Sequence, residues 1–94
     1  MLEEVKRSLR ILDDDNDDFI SDIILRAKLN LDNLAGVKLD YENSLARNLL
    51  IDYCRYAFND ATEYFEENYQ KELNRLIFQE GAKTYEEVED EKSQ

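Results

Sequence analysis

The chain has 94 residues, 37% of them charged, and a formal net charge of −11. This length makes one domain with a modest core. The negative charge excludes nucleic-acid phosphate and an anionic membrane surface as primary ligands, because both require concentrated Lys and Arg. The chain has no His, which removes the commonest general base and metal ligand, and its single cysteine, Cys54, excludes an intramolecular disulfide.

The composition favours helices throughout. There is no Pro, and Gly36 and Gly81 are the only glycines. Leu, Ile, Ala, Glu, Lys and Arg are abundant, and these residues have high helix propensity. No run of apolar residues is long enough to span a membrane, and no signal peptide is recognisable, so we expect synthesis in the cytoplasm.

The first predicted helix covers residues 3–12 and must dock on the rest of the fold, because ten residues do not form a stable helix alone. Its apolar stripe consists of Leu2, Val5, Leu9 and Leu12. An acidic turn, residues 13–18, interrupts the pattern. Asp17 or Asp18 is predicted to cap the helix that follows.

The second predicted helix runs to about Leu34, with Gly36 as its C-terminal stop. Residues at helical spacing predict a continuous core-facing stripe, namely Ile20, Ile23, Ile24, Ala27, Leu31 and Leu34. Leu25 and Leu29 lie one turn apart on the opposite side. Such a second stripe has no use in an isolated domain, which makes it a candidate contact surface.

The third predicted helix starts near Tyr41, with Asp40 or Asn43 as its cap, and is apolar around most of its circumference. A helix of this kind is buried on several sides, so we expect it at the centre. Asp60, three residues before Glu63, imitates a capping box and could start a new helix, or the chain could continue unbroken. The pattern reaches about Phe78 and is predicted to end at Gly81.

These elements predict an all-α fold, a small helical bundle of about four helices with a long central helix. Residues 1–83 form the helical domain. Residues 84–94 are an acidic tail, too charged to pack and expected to be flexible and disordered when free.

The acidic turn is a candidate calcium loop. Asp13, Asp15 and Asp17 match alternate ligand positions, but Asp18 replaces the required Gly and Ile24 replaces the bidentate Glu. A solvated helix-capping loop is the better interpretation. A third is an acidic contact for the basic side of the first helix, Lys6, Arg7 and Arg10, on a neighbouring copy.

Other candidate sites have ordinary structural interpretations. Glu63, Glu66 and Glu67 could approach Glu42 or Asp52 as in a di-iron bundle, but the Glu-x-x-His motif of such sites needs a His. Cys54 lies among apolar residues, where a buried thiol is expected. The aromatic residues near the end of the third helix lack the basic groove of a nucleobase-stacking surface, so we expect core packing, with some tyrosines at a protein interface. We expect no enzyme, cofactor or metal.

Two stretches carry a resemblance to a known family. The first is Leu-x-x-Val-Lys-x-x-Leu-Arg-Ile over residues 2–11, followed by the Asp-rich turn and an aliphatic helix to Ala27. The second is the third helix with its aromatic-rich end before Asn59. Over residues 2–78 the chain resembles the head–tail connectors of tailed bacteriophages, also described as head-completion or DNA-packaging adaptor proteins. It lacks the Pro-containing segment often found near their last helix.

The resemblance implies a place in the virion, at the head–tail interface, with assembly in the host cytoplasm. Such proteins form a homo-oligomeric ring, usually of twelve copies, under the portal protein. The ring extends the DNA channel and docks the stopper or tail-completion protein. Packaged DNA passes through without specific binding, no membrane is involved, and the family has no catalytic residues.

A ring subunit needs one apolar surface for its own core and another for its neighbour. Candidate residues for the subunit or portal interface come from the first helix, the acidic turn and the second stripe: Lys6, Arg7, Arg10, Asp13, Asp14, Asp15, Leu25 and Leu29. The alternative function is a small acidic regulatory binding protein, DNA-mimicking or antitoxin-like, which the charge alone supports.

Overall fold

The fold is known from a computed structural model, which describes the backbone of residues 1–92 and the side chains of residues 1–81. The all-α prediction is confirmed, and the described chain contains no strand. Its elements are α1 (Leu2–Leu9), α2 (Asp17–Ala35), α3 (Ser44–Phe58), a 3₁₀ turn (Thr62–Tyr64), α4 (Phe65–Asn68) and α5 (Gln70–Lys92). The described chain thus has five α-helices instead of about four, because the predicted fourth helix is divided.

Helix α1 is shorter than predicted. It ends at Leu9, because Arg10 adopts a left-handed conformation with φ 61°, and the N–H of Ile11 donates to the carbonyl of Lys6 at 2.9 Å. This turn breaks the helical spacing, so Leu12 leaves the apolar stripe and is 98% exposed. The prediction that Leu12 packs into the core was wrong.

The C-terminal end of α2 was predicted correctly, but its N-terminal cap was not. Asn16 occupies the N-cap position without a side-chain cap bond, so the predicted capping by Asp17 or Asp18 was wrong. Both acids lie instead in the first turn, where a carboxylate is favoured by the helix dipole. Gly36 ends the helix with φ 76°, as predicted.

Asn43 caps α3, which confirms one of the two predicted caps. Its Oδ1 accepts from the N–H of Leu45 at 2.9 Å and of Ala46 at 3.3 Å, and the helix begins at Ser44 rather than near Tyr41. Asp32 on α2 binds the linker that precedes α3. Its Oδ1 accepts from the N–H of Leu39 at 3.0 Å and from the hydroxyl of Tyr41 at 2.8 Å.

The helical structure is interrupted after α3 and not at Gly81. Asp60 has φ 55°, and this left-handed residue separates α3 from the elements that follow. Helix α5 passes through Gly81 to Lys92, so the predicted stop was wrong; a helix interior tolerates Gly at a cost of about 1 kcal/mol. The predicted tail of residues 84–94 therefore falls largely on the α5 backbone. Its side chains and residues 93–94 lie outside the described part, and its flexibility stays a prediction.

The core lies between α2 and α3. The two helices run antiparallel, as the contact between Phe19 at the start of α2 and Phe58 at the end of α3 shows. Helix α3 contacts α1, α2 and α5 and so lies centrally, although α2 and α5 are longer. The largest fully buried side chains come from five of the elements: Val5, Ile20, Leu31, Leu50, Cys54, Phe65 and Leu76.

Candidate interaction surface

The acidic turn is held by a lysine from α1. The Lys6 Nζ lies 2.7 Å from the Oδ1 of Asp14 and 2.8 Å from the Oδ1 of Asp17, and the residue is only 4% exposed. The hydrogen bond to Asp14, with a second to Asp17, raises the pKa of Lys6 above its ordinary value. The same bond lowers the pKa of Asp14. Lys6 and Asp14, both predicted for an interface, thus form an ion pair with each other within the chain.

The remaining residues of the predicted basic and acidic interface stay at the surface. Arg7 and Arg10 are exposed, and neither forms a salt bridge with a described side chain. Asp13 and Asp15 are exposed, and the Oδ1 of Asp13 accepts from the N–H of Asp15 at 3.2 Å. This bond is an Asx turn, which shapes the loop locally. Among the described residues no group of three acids or Cys is placed to hold a metal ion.

A second pair ties α1 to α3. The Nε of Arg47 donates to the Oε2 of Glu4 at 2.8 Å, and its Nη2 reaches the other carboxylate oxygen. Both side chains are about one-third exposed, so solvent screens the pair only in part. A two-pronged guanidinium–carboxylate contact fixes direction as well as distance, and it orients α1 across the start of α3.

The second stripe of α2 faces solvent, as predicted. Leu25 and Leu29 are each 58% exposed, whereas Ile24, Ala27 and Leu31 on the other side of the helix are buried. Nothing in the described chain covers the two leucines. They form a short apolar face on the outside of the domain.

The sequence prediction missed a further exposed apolar contact. The rings of Phe19 and Phe58 pack edge to face with centroids 6.4 Å apart, and both side chains remain substantially exposed. Phe19 falls outside the apolar stripe of α2, and that spacing was a signal that it lies at the surface. Phe58 could not be placed this way, because α3 is apolar on nearly every side.

Four aromatic residues, Tyr53, Tyr56, Phe65 and Tyr69, pack together rather than offering faces for bases. Phe65 is buried and lies 4.8 Å from Tyr53, 5.6 Å from Tyr56 and 4.6 Å from Tyr69, measured between ring centroids. Burial raises the pKa of Tyr69. The prediction of core packing is confirmed for this cluster, while Tyr64 is exposed beside it.

A groove of about 440 Å³ lies where α2 ends and α4 meets α5. Its lining is mixed: Leu34, Leu73 and Ile77 are apolar, and the other lining residues are Gln70, Asn74 and the glutamates of the rejected di-iron set, Glu63, Glu66 and Glu67. No sequence signal located this groove, because it depends on the break in the helix between α3 and α4.

Burial of Cys54, in contrast, was predicted. Cys54 is fully buried, and burial raises the pKa of its thiol to about 12, which leaves the thiol unreactive.

No family model, curated protein or solved structure matches the chain. The resemblance to phage connectors therefore stays a hypothesis that rests on the residues quoted for it. Within the described part of the chain no helix is both long and apolar enough to cross a membrane.

Proposed function

We propose that this protein is a structural subunit of a phage head–tail connector. In this function several copies, twelve by the family pattern, form a ring under the portal protein. The ring extends the DNA channel and docks the stopper or tail-completion protein. The resemblance over residues 2–78 supports the biological role, and an uncovered apolar face on α2 supports the role of an assembling subunit.

That uncovered face is the observation on which the proposal depends. Leu25 and Leu29 are more than half exposed on a helix whose opposite side is core. Single exposed leucines are ordinary, but two of them one turn apart form a stripe that burial against a partner would stabilise. The stripe suits contact with a neighbouring copy or with the portal.

The charge of the chain suits a channel wall. A net charge of −11 repels DNA phosphates over about a Debye length, roughly 8 Å at physiological salt. DNA could then slide past the ring without binding it. We further propose that the acidic tail, residues 84–94, is flexible when free and orders when it docks on the portal.

The first test of the function is electron microscopy of lysates from a phage with an early stop codon in this gene. We expect separate tails beside heads that have failed to retain their DNA. Normal infectious virions would contradict the connector function. A salt-sensitive interaction with a basic nucleic-acid-binding protein, found by pull-down, would then favour the acidic regulator.

The second test changes the exposed face of α2. Leu25→Glu combined with Leu29→Glu should leave the far-UV circular dichroism unchanged and abolish incorporation into virions, because the variant places charges at the contact. Ser44→Glu combined with Asn48→Glu is the matched control, since it also adds two glutamates one turn apart at exposed helix positions. An unfolded double variant of α2, or one that still enters virions, would refute the assignment of this face.

A further inference from the structure

Three depressions along α2 join into one continuous trough. The groove of about 440 Å³ shares Leu34 and Glu66 with a depression of about 230 Å³ beside the second half of α2. That depression shares Asn30 and Tyr53 with a third, also of about 230 Å³, which reaches Phe19 near the start of the helix. Depressions that share lining side chains adjoin one another, so a single trough follows α2 along most of its length. We call it the α2 trough.

The α2 side of the trough has the spacing of a helix-packing seam. Five of the seven α2 residues that line it recur at alternating intervals of four and three: Phe19, Ile23, Arg26, Asn30 and Asn33. This spacing is the repeat of about 3.5 residues by which one helix packs along another. The seam is about 21 Å long at about 1.5 Å per residue, which matches about four turns of a partner helix.

One end of the trough is mainly apolar. Phe19 is 58% exposed there and packs edge to face on Phe58, which is 39% exposed. Arg26 also lines this end, but its Nη2 lies 2.9 Å from the Oδ2 of Asp22, so a carboxylate balances its charge. Burial of the exposed rings against apolar side chains of a partner would be favourable. This end therefore suits leucine, isoleucine or phenylalanine side chains.

The other end of the trough is acidic. Glu63, Glu66 and Glu67 line it, and none of them forms a salt bridge with a described side chain. Lys71 and Arg75 on α5 are exposed but do not line this end. Carboxylates that share one groove repel each other. Lysine or arginine side chains of a partner would pair with these carboxylates and relieve that repulsion.

A single occupant of the whole trough has to satisfy both ends. A small organic cation would pair with the glutamates and leave Phe19 uncovered. A nucleic acid would bring phosphates against the carboxylates. A helix that is apolar along one face and basic at one end satisfies both ends and also matches the seam. This is the mode of recognition in which an amphipathic helix lies in a groove.

We propose that the α2 trough binds such an amphipathic helix of another protein. The apolar face of that helix packs at the Phe19 end, and lysines or arginines at its far end pair with Glu63, Glu66 and Glu67. Asn30 and Asn33 lie between the two ends, where polar side chains in a seam fix the register of two helices. The inference goes beyond the proposed function, because the trough holds a helix of another protein whether or not copies of this chain form a ring.

Selection from a peptide library tests the chemistry of the occupant. The library displays helical peptides of about 18 residues, roughly 27 Å long, in an Ala and Gln host with one face randomised. It is selected on the purified, full-length protein. We expect enriched peptides to combine apolar residues at a repeat of about 3.5 residues with Lys or Arg at one end. Absence of enrichment, or enrichment of peptides without basic residues, would refute the proposal.

Charge variants then locate the binding of the most enriched peptide, measured by fluorescence anisotropy. Glu63→Gln with Glu67→Gln should weaken binding by about tenfold or more, because the basic end loses its partners. Asp13→Asn with Asp15→Asn is the matched control, since it removes the same charge from exposed positions outside the trough, and it should change the affinity by less than about twofold. Equal losses would show a general attraction to an acidic chain and would refute the site.

Two variants of equal exposure test the apolar end. Phe19 and Leu25 are each 58% exposed, but of the two only Phe19 lines the trough. Phe19→Gln should weaken binding of the same peptide by about fivefold or more, because apolar contact is lost. Leu25→Gln should leave the affinity unchanged, and both variants should keep the circular dichroism of the parent protein. Parent-like binding by the Phe19 variant, or a loss of binding in the Leu25 variant alone, would contradict this placement of the helix.

Other occupants of the trough would give different results. Sedimentation that shows dimers of the free protein, which the enriched peptide dissociates, would assign the trough to a second copy of this chain. Spermidine that displaces the labelled peptide as effectively as the unlabelled peptide does would assign the acidic end to a small cation. Either result would overturn the proposal of a helical partner.

Discussion

At the residue scale, Lys6 shows how this acidic chain uses one of its few cations. Its stem is buried on the side of α1 that faces the core, and its ammonium group meets Asp14 and Asp17. An eight-residue helix has no stability of its own in water. The ion pairs of Lys6, together with Arg47 and Glu4, attach α1 to the fold.

The pH dependence of this pair is predictable in sign. The Asp14 pKa is lowered from its ordinary 3.8, so the contribution of the pair is present above pH 3.8 and is lost as pH falls through the lower, folded-state pKa. The Lys6 pKa is raised from its ordinary 10.5, so the contribution begins to be lost only as pH rises beyond 10.5.

Asp14→Asn should therefore lower the melting temperature at neutral pH and have no effect in strong acid. The change should be a few degrees at most, because the Asp14 side chain is 86% exposed and water screens the pair. Thermal unfolding followed by circular dichroism across the pH range measures it. Asp15→Asn, at an exposed position without a salt bridge to a described residue, is the control. An effect that persists in acid would contradict the ion-pair explanation.

At the element scale, three left-handed residues decide where helices end or turn. Gly36 ends α2, Arg10 ends α1 and Asp60 follows α3. A glycine adopts this conformation at no steric cost, and the end of α2 was predicted for that reason. Arg10 carries no such sequence signal, and the end of α1 that it sets was not predicted. A break at Asp60 was one of two alternatives that the sequence left open, and the structure shows the break.

The two glycines of the chain should respond oppositely to the same change. Gly36→Ala should reduce the free energy of unfolding by about 1 kcal/mol, because a Cβ is strained at φ 76° although the space around it is open. Gly81→Ala should increase it by about 0.5–1 kcal/mol, because Gly81 lies inside α5 with open space around it. Urea denaturation of both variants measures the changes.

Each variant serves as the control for the other. Loss of stability in both would mean that α5 does not pass through Gly81 as a regular helix. No loss on changing Gly36 would mean that the end of α2 can relax to another conformation.

At the scale of the whole molecule, α2 separates core from surface. Leu31 is fully buried against α3, while Leu29, two residues earlier, is 58% exposed. The same residue type therefore has two roles on one helix. One role concerns the stability of the subunit and the other its contacts with partners.

Alanine substitution should distinguish these roles. Leu31→Ala should reduce the free energy of unfolding by roughly 2–5 kcal/mol, because it leaves a cavity in the core. Leu29→Ala should change it by less than about 0.5 kcal/mol, because the side chain is already largely in water. Urea denaturation of the purified protein measures both, and equal losses would contradict the orientation of α2.

The sequence by itself determined what depends on local spacing and local chemistry. The apolar stripe of α2, the exposure of Leu25 and Leu29, the cap at Asn43, the stop at Gly36 and the burial of Cys54 all follow from helical periodicity and from the backbone preferences of single residues. These interactions connect residues within one or two helical turns, so they can be read from neighbouring letters.

Only the tertiary structure decided the features that join distant residues. The early end of α1 exposes Leu12, and the ammonium group of Lys6 binds Asp14 of the acidic turn. The break at Asp60 places α4 and α5 against α2, which forms the groove. Each feature depends on which segments meet after folding, and many pairings have nearly equal local preference. The groove where α2 ends therefore appears only when the helices are placed together.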